Sequence, residues 1–210
     1  VLKTFEDFYV KKDYRGALLY LEQHRTEIPK DLWHYNLGVV YSNIENWPSA
    51  RFHFLLAEEA GFTVPELYQN KVITENKLDV QRLEKPLNFQ DHLIKTSLFA
   101  KDEILTSISL IFLLVGLLIL KQRRTLANII VWIVSVLAPI ALSVWINSWP
   151  RMFTLKTVNL AEGPSAIFDA SEKLPAGIRV VVKNSGDWSE VIYPSRFHGW
   201  IKRSELKKLE

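Results

Sequence analysis

Residues that could do chemistry are spread through this chain without the spacing that chemistry needs. The five histidines, His24, His34, His53, His92 and His198, form no pair at helix-face ligand spacing. Cysteine is absent, which excludes a disulfide framework, a zinc ribbon, an iron–sulfur cluster and a thiol nucleophile. No Gly-rich phosphate loop, His-Glu zinc pair or nucleophile elbow occurs. Glu58 and Glu59 are sequence neighbours on different faces of a helix, which reads as solvated surface and not as an acid–base pair. The expectation is a non-enzymatic protein with no catalytic residue, no cofactor and no metal. The charge balance, 26 Lys+Arg against 23 Asp+Glu, gives +3, and no basic stripe is interleaved with aromatics, so nucleic acid is not an expected partner.

Binding chemistry is better represented, in two groups. Tyr35, Val39, Ser42, Asn43 and Asn70 are the expected partner-binding residues of a helical groove. Trp188, Tyr193, Phe197 and Trp200 are the expected aromatic binding face of a β domain. Each group has a plainer reading, in which Tyr35 packs, Asn70 bonds within the fold, and Trp188 and Trp200 cover a small core. Capture of a peptide carboxylate would need basic groups beside paired asparagines, and the third helix offers Glu66 with Asn70 instead.

The elements that must position these residues follow from periodicity. Residues 1–85 carry apolar positions at helix spacing. Leu37-Gly38-x-x-Tyr41 followed by Ala50, Phe54 and Ala57 resembles the tetratricopeptide (TPR) repeat. Tyr14-Arg15-Gly16-Ala17 resembles the second helix of a preceding unit, and Pro65–Asn70 echoes Asp31–Asn36 at 34 residues. The helix over about 65–84 reads as a polar cap on a short solenoid. Residues 86–103 form an amphipathic linker helix with Leu87, Phe89, Leu93 and Ile94 in its apolar stripe, suited to lying at a membrane surface.

Residues 104–149 read as a transmembrane helical hairpin. Ile104–Leu120 is 17 residues without a charge, and Thr125–Trp149 is 25. A span needs about 20 residues to cross a roughly 30 Å hydrocarbon core. The expected spans are about 104–120 and 126–147, with Pro139 as a kink in the second. Lys121, Arg123 and Arg124 in the connecting turn are the expected topology determinants, placing the turn in the cytoplasm and both termini in the periplasm. That orientation calls for a signal peptide upstream of Val1.

Residues 150–158 read as a linker and 159–210 as a small β domain. Gly163-Pro164-Ser165, Leu174-Pro175-Ala176-Gly177, Asp187-Trp188-Ser189-Glu190-Val191 and Gly199-Trp200-Ile201 resemble, in order and spacing, a bacterial SH3-like barrel. The expected fold class is thus a multidomain membrane protein: α-helical TPR solenoid, two-helix transmembrane hairpin and small all-β SH3-like barrel.

That order of parts resembles the BatE-type proteins of bacterial aerotolerance (Bat) operons. The resemblance implies a bacterial inner-membrane scaffold that presents its binding modules in the periplasm, beside membrane-bound von Willebrand A-domain Bat proteins and, indirectly, a MoxR-type ATPase. The alternative is a sensor or tether in which the barrel binds peptidoglycan.

Overall fold

Helix α2 (Tyr14–Gln23) begins where the Asp13 carboxylate accepts a hydrogen bond from the Gly16 amide at 2.9 Å, satisfying one orphan donor of the helix N-terminus. It is preceded by α1 (Leu2–Val10) and followed by α3 (Lys30–Asn43). Asn46 caps α4 (Trp47–Glu59) in the same way, accepting from the Ser49 amide at 3.3 Å. The computed structural model describes residues 2–99, 102–122, 125–147 and 150–209, with side chains described for all of these except 97–99, 102–106, 119–120, 122, 142–143 and 146–147.

Helices α3 and α4 approach closely because Gly38 faces Phe54. A Cβ at Gly38 would stand 2.5 Å from the Phe54 ring. Ala50, Phe54 and Ala57 recur at helix spacing and are fully buried, and Leu67 of α5 (Pro65–Lys77) closes over them. Behind this pair, the Trp33 indole N–H donates to the Leu21 carbonyl at 2.8 Å and ties α3 to α2. The short helix α6 (Val80–Leu83) follows Asp79, whose φ of 53° turns the chain out of α5.

The C-terminal residues form seven strands: β1 (Arg151–Thr154), β2 (Val158–Ala161), β3 (Ala170–Leu174), β4 (Arg179–Ser185), β5 (Trp188–Tyr193), β6 (Trp200–Lys202) and β7 (Leu206–Lys208). They pair antiparallel in the order β3-β2-β6-β5-β4-β1-β7. Ser189, Val191 and Tyr193 of β5 point inward, so Trp188, Glu190 and Ile192 lie on the outer face. A two-residue turn, Gly186-Asp187, joins the paired residues Ser185 and Trp188, and glycine supplies its φ of 60°. Gly199 has φ 151°, and a Cβ there would meet the Ala161 carbonyl at 2.9 Å.

Two local expectations change. Residues 150–158, expected as linker, contain β1, which pairs with both β4 and β7. Its four residues, between Pro150 and a turn, are too few to show an alternation. Ala166-Ile167-Phe168, a short apolar run that the sequence alone would read as a strand, belongs to the loop before β3, whose polar Ala-Ser-Glu-Lys-Leu sequence is an exposed sheet edge.

The chain divides into two compact units, Val1–Lys85 with Arg151–Glu210, and Pro86–Pro150. In the first, helices and sheet share their interior. Leu55 and Leu56 of α4 pack with Phe153 of β1 and Leu209, and Leu83 packs against the sheet core. The link is also ionic. Arg51 is wholly buried and donates to Glu84 Oε1 at 2.6 Å and Oε2 at 3.1 Å, and to the Gly177 carbonyl at 2.5 Å. Arg179 at the start of β4 donates from its guanidinium to Glu84 Oε2 at 3.2 Å and from its backbone amide to Oε1 at 2.8 Å. The Tyr193 hydroxyl donates to the Glu84 carbonyl at 2.8 Å. Burial alone would push the Glu84 carboxyl up, but the two guanidinium groups hold it below the usual glutamate range.

The second unit contains α7 (Phe89–Phe99), α8 (Asp102–Gln122) and α9 (Leu126–Asn147). Trp132 of α9 lies against Gly116 of α8, where a Cβ would stand 1.7 Å from the indole, and its N–H donates to the Leu113 carbonyl at 3.3 Å. Among the described residues, no helix is long and apolar enough to cross a membrane. The expected transmembrane hairpin, the inner-membrane placement and the periplasmic termini are corrected on that finding. The fold class becomes, among the described residues, nine α-helices and a seven-stranded antiparallel sheet. Of the expected topology determinants, Lys121 is exposed, while Arg123 and Arg124 lie outside the described residues.

Candidate functional site

Strand register builds the site on the outer face of the sheet. Trp188 of β5 is opposite Lys202 of β6, and Glu190 is opposite Trp200, so the two tryptophans sit on one diagonal and the two charges on the other. The inward alternation of Ile201, a core residue, turns Trp200 and Lys202 outward. Lys202 Nζ stands 5.9 Å from the Trp188 ring centre, within reach of a cation–π contact.

Beside this face lies an open cleft of about 700 Å³ lined by Pro164, Ser165, Asp187, Trp188, Lys202 and Arg203 among others. A second hollow of about 270 Å³ adjoins it, with Asn159, Phe168 and Glu205 in its wall. The two share Ser165, Ala166, Trp188 and Lys202, which makes one trough with Trp188 at its middle. The loop between β2 and β3 forms one bank. It is held by its own hydrogen bonds, from the Ser165 amide to the Gly163 carbonyl at 2.9 Å and from the Phe168 amide to the Ser165 carbonyl at 3.3 Å. The Phe168 ring rests on Gly163, where a Cβ would stand 2.5 Å away. The other bank is fixed by the Arg203 amide donating to the Asp187 carbonyl at 2.9 Å.

The four expected aromatics therefore separate. Trp188 and Trp200 share the outer face, and Trp188 lines the trough. Tyr193 is wholly buried with its hydroxyl on Glu84, and Phe197 belongs to the sheet core. Inward alternation along β5 explains Tyr193, and the Phe197 amide bonded to the Pro194 carbonyl at 3.0 Å turns that ring inward after the strand. Phe168 and Lys202 are site residues that the sequence reading did not select. The signal for Lys202 is its alternation with Trp200 about the apolar Ile201, whereas Phe168 sits in a loop, where no periodicity marks its direction.

The expected groove residues are engaged between helices. The Tyr35 ring stacks on Phe62 at 4.6 Å, and its hydroxyl accepts from Asn70 at 3.4 Å. Burial, then Glu66 and Tyr9, raise the Tyr35 phenol above its ordinary value. Val39 packs on the Phe54 cluster, and the Ser42 hydroxyl donates to the Gly38 carbonyl at 2.9 Å. The Asn43 amide donates to the Tyr9 hydroxyl at 3.1 Å and accepts from Tyr14 at 3.2 Å. The structure thus brings Tyr35 to Asn70 across α3 and α5, and Asn43 to the tyrosines of α1 and α2.

One further cluster was hidden by its spacing. His34 of α3 and His53 of α4 place their Nδ1 atoms 3.0 Å apart, so one ring donates the proton and the other accepts it. Tyr41 stacks on His53 at 5.4 Å, and Trp33 meets it edge-on at 6.0 Å. Burial, then Lys30 and Arg25, push His34 down to about 4. Burial, then His34 itself, push His53 down to about 3. Both rings are neutral at pH 7. Among the described residues, no three His, Cys, Asp or Glu side chains converge to hold a metal.

No family model matches the chain, and no curated protein or solved structure matches it either.

Proposed function

We propose that this chain is a non-enzymatic assembly subunit that binds a segment of a partner protein in the trough beside Trp188. The observation that carries the reading is the division of labour among the aromatics of the sheet. Tyr193 and Phe197 are spent on the core and on the junction with the helices, whereas Trp188 lines an open trough flanked by Phe168 and Lys202. A large, rigid aromatic at the centre of a partly polar cleft is a usual anchor of a protein interface. The tight junction between helices and sheet supports a rigid platform, since it fixes the trough relative to the whole first unit. The resemblance to BatE-type proteins supplies the partner class to test first, von Willebrand A-domain Bat proteins.

A photo-activatable residue at Ser165, in the wall of the trough, would test this in cells of the source organism. The expected result is a discrete cross-linked partner that disappears in the Trp188→Ala background and is absent when the probe is placed at exposed Glu59. Equal cross-linking from Glu59, or persistence in Trp188→Ala, would overturn the proposal.

A further inference from the structure

Resting on that reading of the trough, we infer that its occupant is an acidic peptide segment carrying an aromatic or proline ring next to its carboxylates. The ring requirement comes from Trp188 and Phe168, which place aromatic surface in one continuous hollow. The charge requirement comes from the lining of the larger cleft, where Lys202 and Arg203 are opposed by Asp187 alone. In the smaller hollow, Glu205 is already faced by Lys156 at 3.9 Å. A carboxylate entering above Trp188 would therefore meet two cations, one of them poised 5.9 Å from the ring on which its neighbouring side chain would stack. A basic segment would bring like charge against both. A neutral glycan would leave Lys202 and Arg203 with Asp187 as the one carboxylate in the cleft lining, so the lining favours a peptide in which acid and ring alternate.

The test uses the whole chain and two dye-labelled synthetic peptides, one alternating aspartate with tyrosine and proline, the other identical but with lysine for aspartate. Fluorescence anisotropy should show the acidic peptide binding at least about tenfold more tightly, with affinity falling as sodium chloride is raised. The double charge reversal Lys202→Glu with Arg203→Glu, both exposed positions, should invert the preference without unfolding the chain. Trp188→Ala should weaken both peptides. Equal binding of the two peptides, an unchanged preference after charge reversal, or binding of uncharged cell-wall glycan fragments in place of either peptide would overturn the inference. If those results appeared while cross-linking from Ser165 still depended on Trp188, the acidic specificity would fall and the partner-binding site would stand.

Discussion

Arg51 and Glu84 meet at 2.6 Å with both side chains out of water, although 33 residues separate them in the chain. Arg179, 95 residues further on, closes the same carboxylate from the sheet side at 3.2 Å. Glu84 is therefore the point at which the helices of residues 1–85 and the sheet are fastened. Removing its charge would leave the wholly buried Arg51 with Glu75 at 3.6 Å as its remaining carboxylate partner, and would take from Arg179 the carboxylate it holds at 3.2 Å.

Glu84→Gln should accordingly destabilise the first unit by about 3–5 kcal/mol, the usual cost of leaving a buried ion pair broken. Urea unfolding followed by helical circular dichroism and by amide exchange in β4 and β5 should give coincident midpoints in the parent chain, because helices and sheet share one interior. In the variant, both midpoints should drop together. Separate, unequal transitions in the parent would show that the two parts fold independently.

The fastening also sets an acid limit. Glu84 is held below its unfolded value of 4.5, so its contribution is fully present above that value and is lost as pH falls through the folded value.

The histidine pair acts at milder pH. Both rings are neutral in the fold, at about 4 for His34 and about 3 for His53, against 6.5 when unfolded. Between 6.5 and about 4 the unfolded chain binds protons that the folded chain refuses, so stability falls as the pH is lowered through that window. The slope approaches about 1.4 kcal/mol per pH unit for each histidine at its steepest. Urea midpoints at a series of pH values from neutral to mildly acidic should trace it, and His53→Phe, which keeps a ring against Tyr41, should flatten it. An unchanged slope in the variant would show that the pair does not carry the effect.

Gly38→Ala tests the contact between α3 and α4. The added methyl would stand 2.5 Å from the ring of a wholly buried Phe54. A loss of about 1–3 kcal/mol is expected from this overpacking, against the small gain alanine normally gives a helix. Thermal unfolding would measure the sign directly; a stabilised variant would mean that the ring repacks.

What was legible in the sequence is what depends on near neighbours. Helices α3 and α4 could be read because Gly38, Ala50, Phe54 and Ala57 repeat at short spacing, and β4 and β5 because the apolar run Val180-Val181-Val182 and the segment from Trp188 flank the turn residues Gly186-Asp187. What was not legible depends on long separation. Nothing in the sequence around Arg51 distinguishes it from a surface arginine, since its partners are 33 and 126 residues away. His34 and His53 looked scattered because they come from different helices. Tyr193 was read as a binding residue because sequence marks it as aromatic but does not mark which side of the sheet it takes.

That last distinction gives a paired prediction on the site itself. Tyr193→Phe removes only the hydroxyl that donates to the Glu84 carbonyl at 2.8 Å, leaving a buried acceptor without that donor. It should cost about 1–3 kcal/mol of stability and leave peptide affinity in the trough unchanged, because the ring stays in the core. Trp188→Ala should do the reverse. Its side chain is only partly buried on the outer face, so stability should shift by about 1 kcal/mol or less, while binding loses its central anchor and weakens by about tenfold or more. Measuring both quantities on both variants separates the roles. If Tyr193→Phe reduced binding at full stability, the hydroxyl would have to reach the ligand, which its wholly buried position on Glu84 forbids. If Trp188→Ala unfolded the chain while the charge reversals bound normally, the outer tryptophan would be a cover for the sheet and not an anchor for a partner.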